Sequence, residues 1–319
     1  MNNENFENTE NQHNNKLTPT MAPNKAAILG LIAVFFIFQF GGGLLTVAIF
    51  GSNFKDADQN LIRLFTIGSQ ILFILFPAIL LSKLVFEDVT EVVRFRFPDR
   101  KEIGLFVIGL MILIPLTQYY LYFQNYFLAE LSKEYSFIHS VKIFLDEIDK
   151  LAQSTYLQLL SANYFYEYFL VIFTVAVTPA ICEEFFFRGF VQKSFEFKQK
   201  PFTAILLTSL FFGFYHFNPY GLIPLILLSF YLGYAVYKSN SIFTSIVLHF
   251  LNNFFAIMVF FIYGKDELIQ SNVLNSETLT EDIIVFIVLL LLFIGFFIIV
   301  NRNYFKIING RNANDLSKM

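Results

Sequence analysis

This chain of 319 residues is 56% hydrophobic and only 15% charged, whereas a water-soluble domain carries about 25% charged residues. The composition therefore favours a protein that is in contact with lipid. The formal net charge is −3 and the 22 Lys and Arg residues form no basic cluster, so nucleic acid is not an expected partner. Because Cys182 is the only cysteine, an internal disulfide framework is excluded.

The chain begins with a polar segment and continues as a series of long apolar runs. Residues 1–25 are rich in Asn and Glu, which predicts a disordered N-terminal tail. A transmembrane helix needs about 20 apolar residues. By this criterion we expect an all-α membrane protein, an eight-helix polytopic transmembrane bundle. Its spans are predicted at 26–50, 64–81, 103–129, 168–192, 202–217, 221–237, 242–264 and 283–301.

Two connections influence this assignment. The run 202–237 is uncharged over 36 residues, about 54 Å of α-helix, which is too long for one crossing. The segment HFNPYG at 216–221 contains Asn-Pro and Gly, which are typical of turns, and it divides the run into two spans. The longest connection, 130–163, has apolar residues at helical spacing and predicts a short amphipathic helix on the outer surface.

The positions of Lys and Arg predict the orientation of the bundle. If eight spans alternate across the membrane, the basic connections all fall on one side. The positive-inside rule then places both termini in the cytoplasm. We expect an eight-span membrane domain at 26–301, followed by a cytoplasmic C-terminal tail at 302–319. The Asn-rich tail is typical of an A/T-rich genome, so the expected location is the plasma membrane of a bacterium.

Three charged residues interrupt the fourth predicted span, in the segment VTPAICEEFFFRGF. A charge at the centre of a membrane helix costs about 2.5–3.5 kcal/mol on insertion scales. Glu184 and Arg188 are four residues apart, so they share a helix face and can form an ion pair. Glu183 points about 100° away and lacks that partner, which suits a carboxylate that accepts a proton from water. In the alternative interpretation, the cluster is merely the cytoplasmic end of the span, which fits Arg188 but not the two glutamates.

Two of the four histidines lie in predicted spans. His216 ends the segment FFGFYH, and His249 opens the segment HFLNN, which places His249 and Asn253 on one helix face. Imidazole can bind a metal ion, transfer protons or donate to an oxyanion, and a side-chain amide is a typical oxyanion donor. Each residue alone is more often a hydrogen-bonded core residue. Together with Glu183 they provide the groups that peptide hydrolysis by water requires.

Three motifs in this region resemble those of the CPBP family. This family comprises the type II CAAX-processing prenyl endopeptidases and the bacteriocin-processing proteins, also called Abi proteins. The motifs are Glu183-Glu184-x-x-x-Arg188, Phe212-x-x-x-His216 and His249-x-x-x-Asn253. Their order and spacing match within 170–260. The resemblance implies an intramembrane endopeptidase that acts on a membrane-bound or lipidated protein or peptide.

The resemblance also implies a role for each residue. Glu183 would activate the attacking water with the assistance of His216, and His249 and Asn253 would stabilise the oxyanion. The ion pair of the first motif would hold these groups in place. No cofactor is firmly implied, but zinc stays open as an alternative. The sequence has no HExxH motif, yet Glu183, His216 and His249 could form a three-ligand zinc site with one open position.

The depth of His216 is a difficulty for this site. Measured from the predicted cytoplasmic ends of their spans, Glu183 and His249 are about 12 Å deep, whereas His216 is about 22 Å from Phe202. His216 joins the site only if the fifth span begins in the cytoplasm or tilts.

Two other classes of function remain open. One is an immunity or scaffold protein of the membrane that has kept the motifs without proteolytic activity. The other is a proton-coupled transporter in which the same groups form a relay. A transporter predicts internal two-fold pseudo-symmetry, which we do not find in the sequence.

Overall fold

The structure is a computed structural model that describes residues 18–51, 58–264 and 279–309. Within these ranges the chain is helical and contains no strand, which agrees with the predicted all-α class. Ten continuous helices are described. They are α1 (Pro23–Ile49), α2 (Gln59–Phe86), α3 (Val89–Val93), α4 (Arg100–Glu134), α5 (Ser136–Leu160), α6 (Phe165–Glu196), α7 (Pro201–Tyr215), α8 (Leu222–Ser239), α9 (Ile242–Tyr263) and α10 (Leu279–Asn309).

The helices begin at residues that favour a helix N-terminus. Pro23 and Pro201 occupy the first turns of α1 and α7, where the missing N–H of proline costs nothing. The Asp58 side chain caps α2, and Asp99 forms a capping box with Glu102 at the start of α4.

Seven helices are long and apolar enough to cross a membrane, namely α1, α2, α4, α6, α8, α9 and α10. The fifth predicted span is the shorter apolar helix α7, which has only 15 residues. The prediction of eight full spans is therefore corrected, within the described residues, to seven spans and one short helix. The cause is the turn that follows: Phe217 adopts a left-handed conformation (φ 46°), and the Asn218 side chain accepts a hydrogen bond from Gly221 N.

The short helix does not change the expected orientation. α7 packs along α8 as a helical hairpin, so the chain returns to the side from which it entered. The helices before and after the hairpin therefore have the same relative directions as in an eight-span arrangement. The cytoplasmic location of both termini stays a prediction.

The connections differ from the predicted ones in length. The segment 130–163 contains the last turn of α4 and the whole of α5, a helix of 25 residues rather than a short one. α10 continues to Asn309, so helix extends into the predicted tail at 302–319. The rest of that tail lies outside the described residues, as does most of the predicted disordered segment 1–25.

α6 is the central helix of the bundle. Of its most apolar stretch, 56% is buried within the protein, compared with 6% for α10. A cluster of phenylalanines surrounds its second half, in which Phe186 and Phe190 are fully buried and pack against α1 and α2. Because protein rather than lipid surrounds most of the second half of α6, the charged residues there can be paired with groups on neighbouring helices.

Candidate active site

Glu183 and Glu184 lie between two irregular turns of α6. The helix widens to π geometry at Phe173–Val177 and again at Phe185–Gln192, with an α-helical segment, Thr178–Glu184, between them. Wide turns of this kind leave backbone carbonyls free for other partners and are frequent at functional sites.

Glu184 forms the centre of a buried cluster. Its Oε1 accepts hydrogen bonds from Nη1 of Arg188 at 2.7 Å and from Nδ1 of His249 at 2.8 Å. The side chains of Glu184 and Arg188 are 0% exposed, and that of His249 is 4% exposed. Because the carboxylate accepts, Nδ1 of His249 must carry a proton, and its Nε2 is left for another partner.

Arg188 has two further contacts that fix its position. Its Nη2 donates to the backbone oxygen of Ser229 at 3.2 Å and to the Ser229 hydroxyl at 3.0 Å. The guanidinium carbon lies 4.6 Å from the centre of the Phe212 ring, which is within the range of a cation–π interaction. Arg188 thus connects α6 with both helices of the α7–α8 hairpin.

Glu183 faces a different histidine. Its Oε2 lies 3.8 Å from Nε2 of His216, and the two side chains are 16% and 30% exposed. The His216 ring is oriented by its Nδ1, which lies 2.7 Å from the Phe212 carbonyl oxygen. A carbonyl only accepts, so Nδ1 carries the proton, and in the neutral ring Nε2 presents a lone pair towards Glu183.

The helix ends account for the depth of His216. α6 continues to Glu196, so Glu183 lies 13 residues before the end of α6, and His216 lies 15 residues after Pro201 at the start of α7. At 1.5 Å per residue these positions are about 20 Å and about 22 Å from the connection between α6 and α7. The two residues are therefore at a similar distance from that connection, because α6 extends beyond residue 192, where the predicted span ends.

Asn253 is placed differently from the other motif residues. Its Nδ2 donates to the carbonyl oxygen of Val175, in the first wide turn of α6, at 3.0 Å. Its Oδ1 accepts from Nδ2 of Asn252 at 3.1 Å. Asn253 thus lies beside α6, but its amide contacts Val175, which precedes Glu183 by eight residues in the chain. One N–H of the amide remains for another acceptor.

Comparison with protein families identifies this region. Residues 165–255 match the family described as "Type II CAAX prenyl endopeptidase Rce1-like". This segment is an Rce1-like domain of the CPBP family. Membership implies an intramembrane protease with a protein substrate. No curated protein and no solved structure matched the chain in the corresponding comparisons.

The Rce1-like domain does not assemble the zinc ligands considered from the sequence. Within 18–51, 58–264 and 279–309, no group of three or more His, Cys, Asp or Glu side chains is placed to hold a metal ion. Glu183 faces His216, whereas His249 turns its Nδ1 to Glu184. These residues therefore do not fit a three-ligand zinc site in this arrangement.

The sequence did not indicate every residue of the Rce1-like domain that contributes to this arrangement. Ser229, which binds Arg188 through its backbone oxygen as well as its hydroxyl, was not among the predicted residues. The only feature of the sequence that could have indicated Ser229 is that a small polar residue interrupts the apolar sequence of α8. Phe212 was noted as the start of a motif, but its ring contacts with His216 and His249, at centroid distances of 4.6 and 6.0 Å, were not expected.

Proposed function

We propose that the Rce1-like domain is an endopeptidase that hydrolyses a peptide bond of a membrane-bound or lipidated protein, with water activated by Glu183. One observation carries the proposal. Oε2 of Glu183 is a buried acceptor without a hydrogen-bond partner, on a side chain that remains partly exposed and faces His216. A carboxylate in this state is available to accept a proton from water.

The pair can orient a water molecule for attack. A water that donates one hydrogen to Oε2 of Glu183 and the other to Nε2 of His216 directs an oxygen lone pair towards the substrate. As this oxygen bonds to the carbonyl carbon, Glu183 takes its proton and the carbonyl oxygen becomes negative. The proton then passes to the leaving amide nitrogen, and the C–N bond breaks. Protons and charges therefore balance over these reaction steps.

His249 and Asn253 are the donors that we assign to the developing oxyanion. Glu184 engages Nδ1 of His249 and leaves Nε2, which donates when the ring is protonated. Asn253 retains one amide hydrogen beyond that given to Val175. Each such donor contributes several kcal/mol to transition-state stabilisation in related acyl-transfer sites, about 2.7–4 kcal/mol when one is removed.

The buried pair supports these groups without reacting itself. Arg188 neutralises Glu184 and keeps it ionised, and the carboxylate then fixes the tautomer and the ring orientation of His249. A histidine held in this way by a buried carboxylate loses less entropy when it donates to the transition state. We therefore describe Glu184 and Arg188 as positioning residues.

Turnover of a peptide by the purified full chain tests the proposal. Internally quenched peptides with and without a prenylated cysteine near the C-terminus should be incubated with the protein in lipid nanodiscs. We expect cleavage by the wild type and none by Glu183→Gln, and comparison of the two peptides shows whether the lipid is required. If folded wild-type protein cleaves neither peptide nor unfractionated membrane peptides, the non-proteolytic interpretation replaces this one.

A further inference from the structure

Gln39 of α1 contacts the end of α7 immediately before His216. Between residues 26 and 50 the sequence has only two polar side chains, Gln39 and Thr46. Thr46 donates to a carbonyl oxygen of its own helix at 2.8 Å. Gln39 instead donates through Nε2 to the backbone oxygen of Tyr215 at 3.0 Å. A polar side chain within an apolar span is costly unless it has a partner, and the hydrogen bond to Tyr215 offsets this cost.

The carbonyl of Tyr215 needs a donor from outside its own helix. In a continuing helix it would accept from the N–H of residue 219, but residue 219 is proline, which has no N–H. The three preceding carbonyls are satisfied within the turn, by the backbone N–H groups of His216 and Phe217 and by Nδ1 of His216. Gln39 therefore supplies the donor that the chain itself lacks at this position.

This hydrogen bond fixes the peptide group that leads into His216. The oxygen of Tyr215 and the N–H of His216 belong to one planar unit. Gln39 holds the oxygen, and the carbonyl of Gly213 accepts from the N–H at 3.3 Å. Because both ends of the plane are held, the direction of the His216 side chain is restricted. The ring is then oriented by the Phe212 carbonyl oxygen, 2.7 Å from its Nδ1.

α1 is itself held against α7 at this level, so Gln39 donates from a defined position. The hydroxyl of Tyr215 donates to the carbonyl oxygen of Leu31. The ring of Phe35 meets that of Tyr215 edge-on, with 5.2 Å between the centroids. Gln39 lies in the middle of a wide turn of α1 with π geometry, Ile37–Gly41. Such turns are frequent at functional sites.

The chain beyond His216 is held by other helices. The carbonyl oxygen of Tyr220 accepts a hydrogen bond from Nε2 of Gln124 in α4 at 3.0 Å. The Tyr220 hydroxyl donates to Asp146 of α5 at 2.5 Å. The residues that follow His216 are thus fixed without Gln39, whose contribution is confined to the peptide group before it.

The orientation of His216 matters for the proposed reaction, because the water is held between Nε2 of His216 and Oε2 of Glu183, which are 3.8 Å apart. Displacement of a reacting group by about 1 Å can cost about 10²-fold in rate. We infer that Gln39 is a positioning residue, which keeps the His216 imidazole directed at Glu183 through the carbonyl of Tyr215. Its effect on the rate rests on the proposed function, whereas its effect on the His216 ring does not.

The imidazole signals of His216 report this positioning without turnover. Full-length protein labelled with ¹⁵N-histidine in lipid nanodiscs should be compared with Gln39→Met, which removes the donor at similar side-chain length. His216→Gln identifies the signal. In the wild type at alkaline pH we expect a single neutral tautomer with the proton on Nδ1. In Gln39→Met we expect a mixture of tautomers, because the ring is no longer held against the Phe212 carbonyl oxygen.

Cleavage of the quenched peptides should show the same difference. For Gln39→Met we expect kcat to fall about 10–100-fold and KM to stay within about twofold of the wild type, since Gln39 acts through His216 rather than on the substrate. Tyr215→Phe is the matched control. It removes another hydrogen bond between α1 and α7, that to the Leu31 carbonyl oxygen, but leaves the peptide group before His216 held. It should keep the wild-type tautomer and kcat.

A wild-type His216 spectrum in Gln39→Met would overturn the inference. The same spectral change in Tyr215→Phe would also overturn it, because the Gln39 hydrogen bond would then serve only to attach α1. An altered spectrum with an unchanged kcat would rule out the catalytic consequence. Gln39→Asn, whose amide is one methylene too short, replaces Gln39→Met if the latter does not fold. If the wild type cleaves no peptide while the spectra differ as expected, the proposed function fails and the positioning of His216 stands.

Discussion

Glu184 and Arg188 form an ion pair that is completely enclosed by protein, with 2.7 Å between Oε1 and Nη1. The preceding residue, Glu183, is partly exposed and faces His216. Two adjacent carboxylates of one helix therefore have different surroundings, because a rotation of about 100° per residue directs them to different neighbours. On this basis we propose a positioning role for Glu184 and a catalytic role for Glu183. Separate substitutions can test the two roles.

Replacing Arg188 should destabilise the protein as well as inactivate it. Arg188→Ala leaves the Glu184 carboxylate buried without its cationic partner. Breaking one side of a buried pair typically costs about 3–5 kcal/mol. We expect a large loss of yield and a lower midpoint in denaturant titrations of the protein in detergent. Arg100→Ala, at an exposed position, is the matched control and should unfold like the wild type. An unchanged midpoint for Arg188→Ala would contradict the supporting role.

Replacing Glu183 should affect catalysis but not folding. Glu183→Gln preserves the shape of the side chain, and Oε2 has no hydrogen bond to lose. If Glu183 is the general base, kcat for peptide cleavage should fall by about 10²–10⁴-fold with an unchanged melting temperature. Glu130→Gln, in an exposed pair with Lys133 on α4, controls for the change of charge. Undiminished cleavage by Glu183→Gln would end the assignment of Glu183 as the base.

The residues of this site could be predicted from the sequence because ionisable side chains are rare within apolar spans and usually have a functional role there. The pairing of Glu184 with Arg188 followed from their spacing on one helix face, and the structure contains this pair. The alignment of Glu183 with His216 was misjudged because Gln192, Lys193 and Glu196 are polar and look like the exit from the membrane. In the structure these polar residues are buried by neighbouring helices, and α6 continues past them.

Two other features were not readable from composition. The hydropathy of the run 202–237 does not indicate where a helix ends, and the short length of α7 follows from the local conformation of Phe217 and Asn218. The contact of Arg188 with the backbone oxygen of Ser229 depends on how closely two helices approach. Residue type alone does not specify that distance.

Removal of metal should leave cleavage unchanged. The described residues include no group of side chains that is placed to hold a metal ion, and the base and donors that we propose act without one. Protein treated with EDTA and then with 1,10-phenanthroline should cleave the peptide at the wild-type rate. A matched sample with zinc added back controls for direct effects of the chelators. If chelation abolishes activity and zinc restores it, the metal-free mechanism is wrong.

The C-terminus should lie in the cytoplasm, because the Lys and Arg residues of the connections lie on one side when the hairpin of α7 and α8 returns to its starting side. Green fluorescent protein fused after residue 319 should fluoresce in cells, and alkaline phosphatase at the same site should be inactive. The phosphatase fused after residue 264, at the opposite end of α9, is the control and should be active. The reverse pattern would contradict the orientation.

Arg63 should anchor α5 to the bundle. This residue is fully buried in α2, and its Nε donates to the Leu159 carbonyl oxygen at 3.0 Å. Its Nη2 donates to the carbonyl oxygen of Ser161, so it satisfies carbonyls at the end of α5 that have no partner within the helix. Arg63→Met removes these donors at similar side-chain length, and each unsatisfied buried carbonyl costs about 1–3 kcal/mol.

Hydrogen exchange should therefore become about tenfold faster in the last turns of α5, since each 1.4 kcal/mol of local stability corresponds to a factor of ten. The spectra of the rest of the bundle, including α6, should change little. Lys83→Met is the matched control: Lys83 also lies in α2, but its amine donates to the Glu87 carbonyl oxygen at the exposed end of that helix. If the last turns of α5 exchange at the same rate in Arg63→Met, Lys83→Met and the wild type, Arg63 does not hold α5 in place.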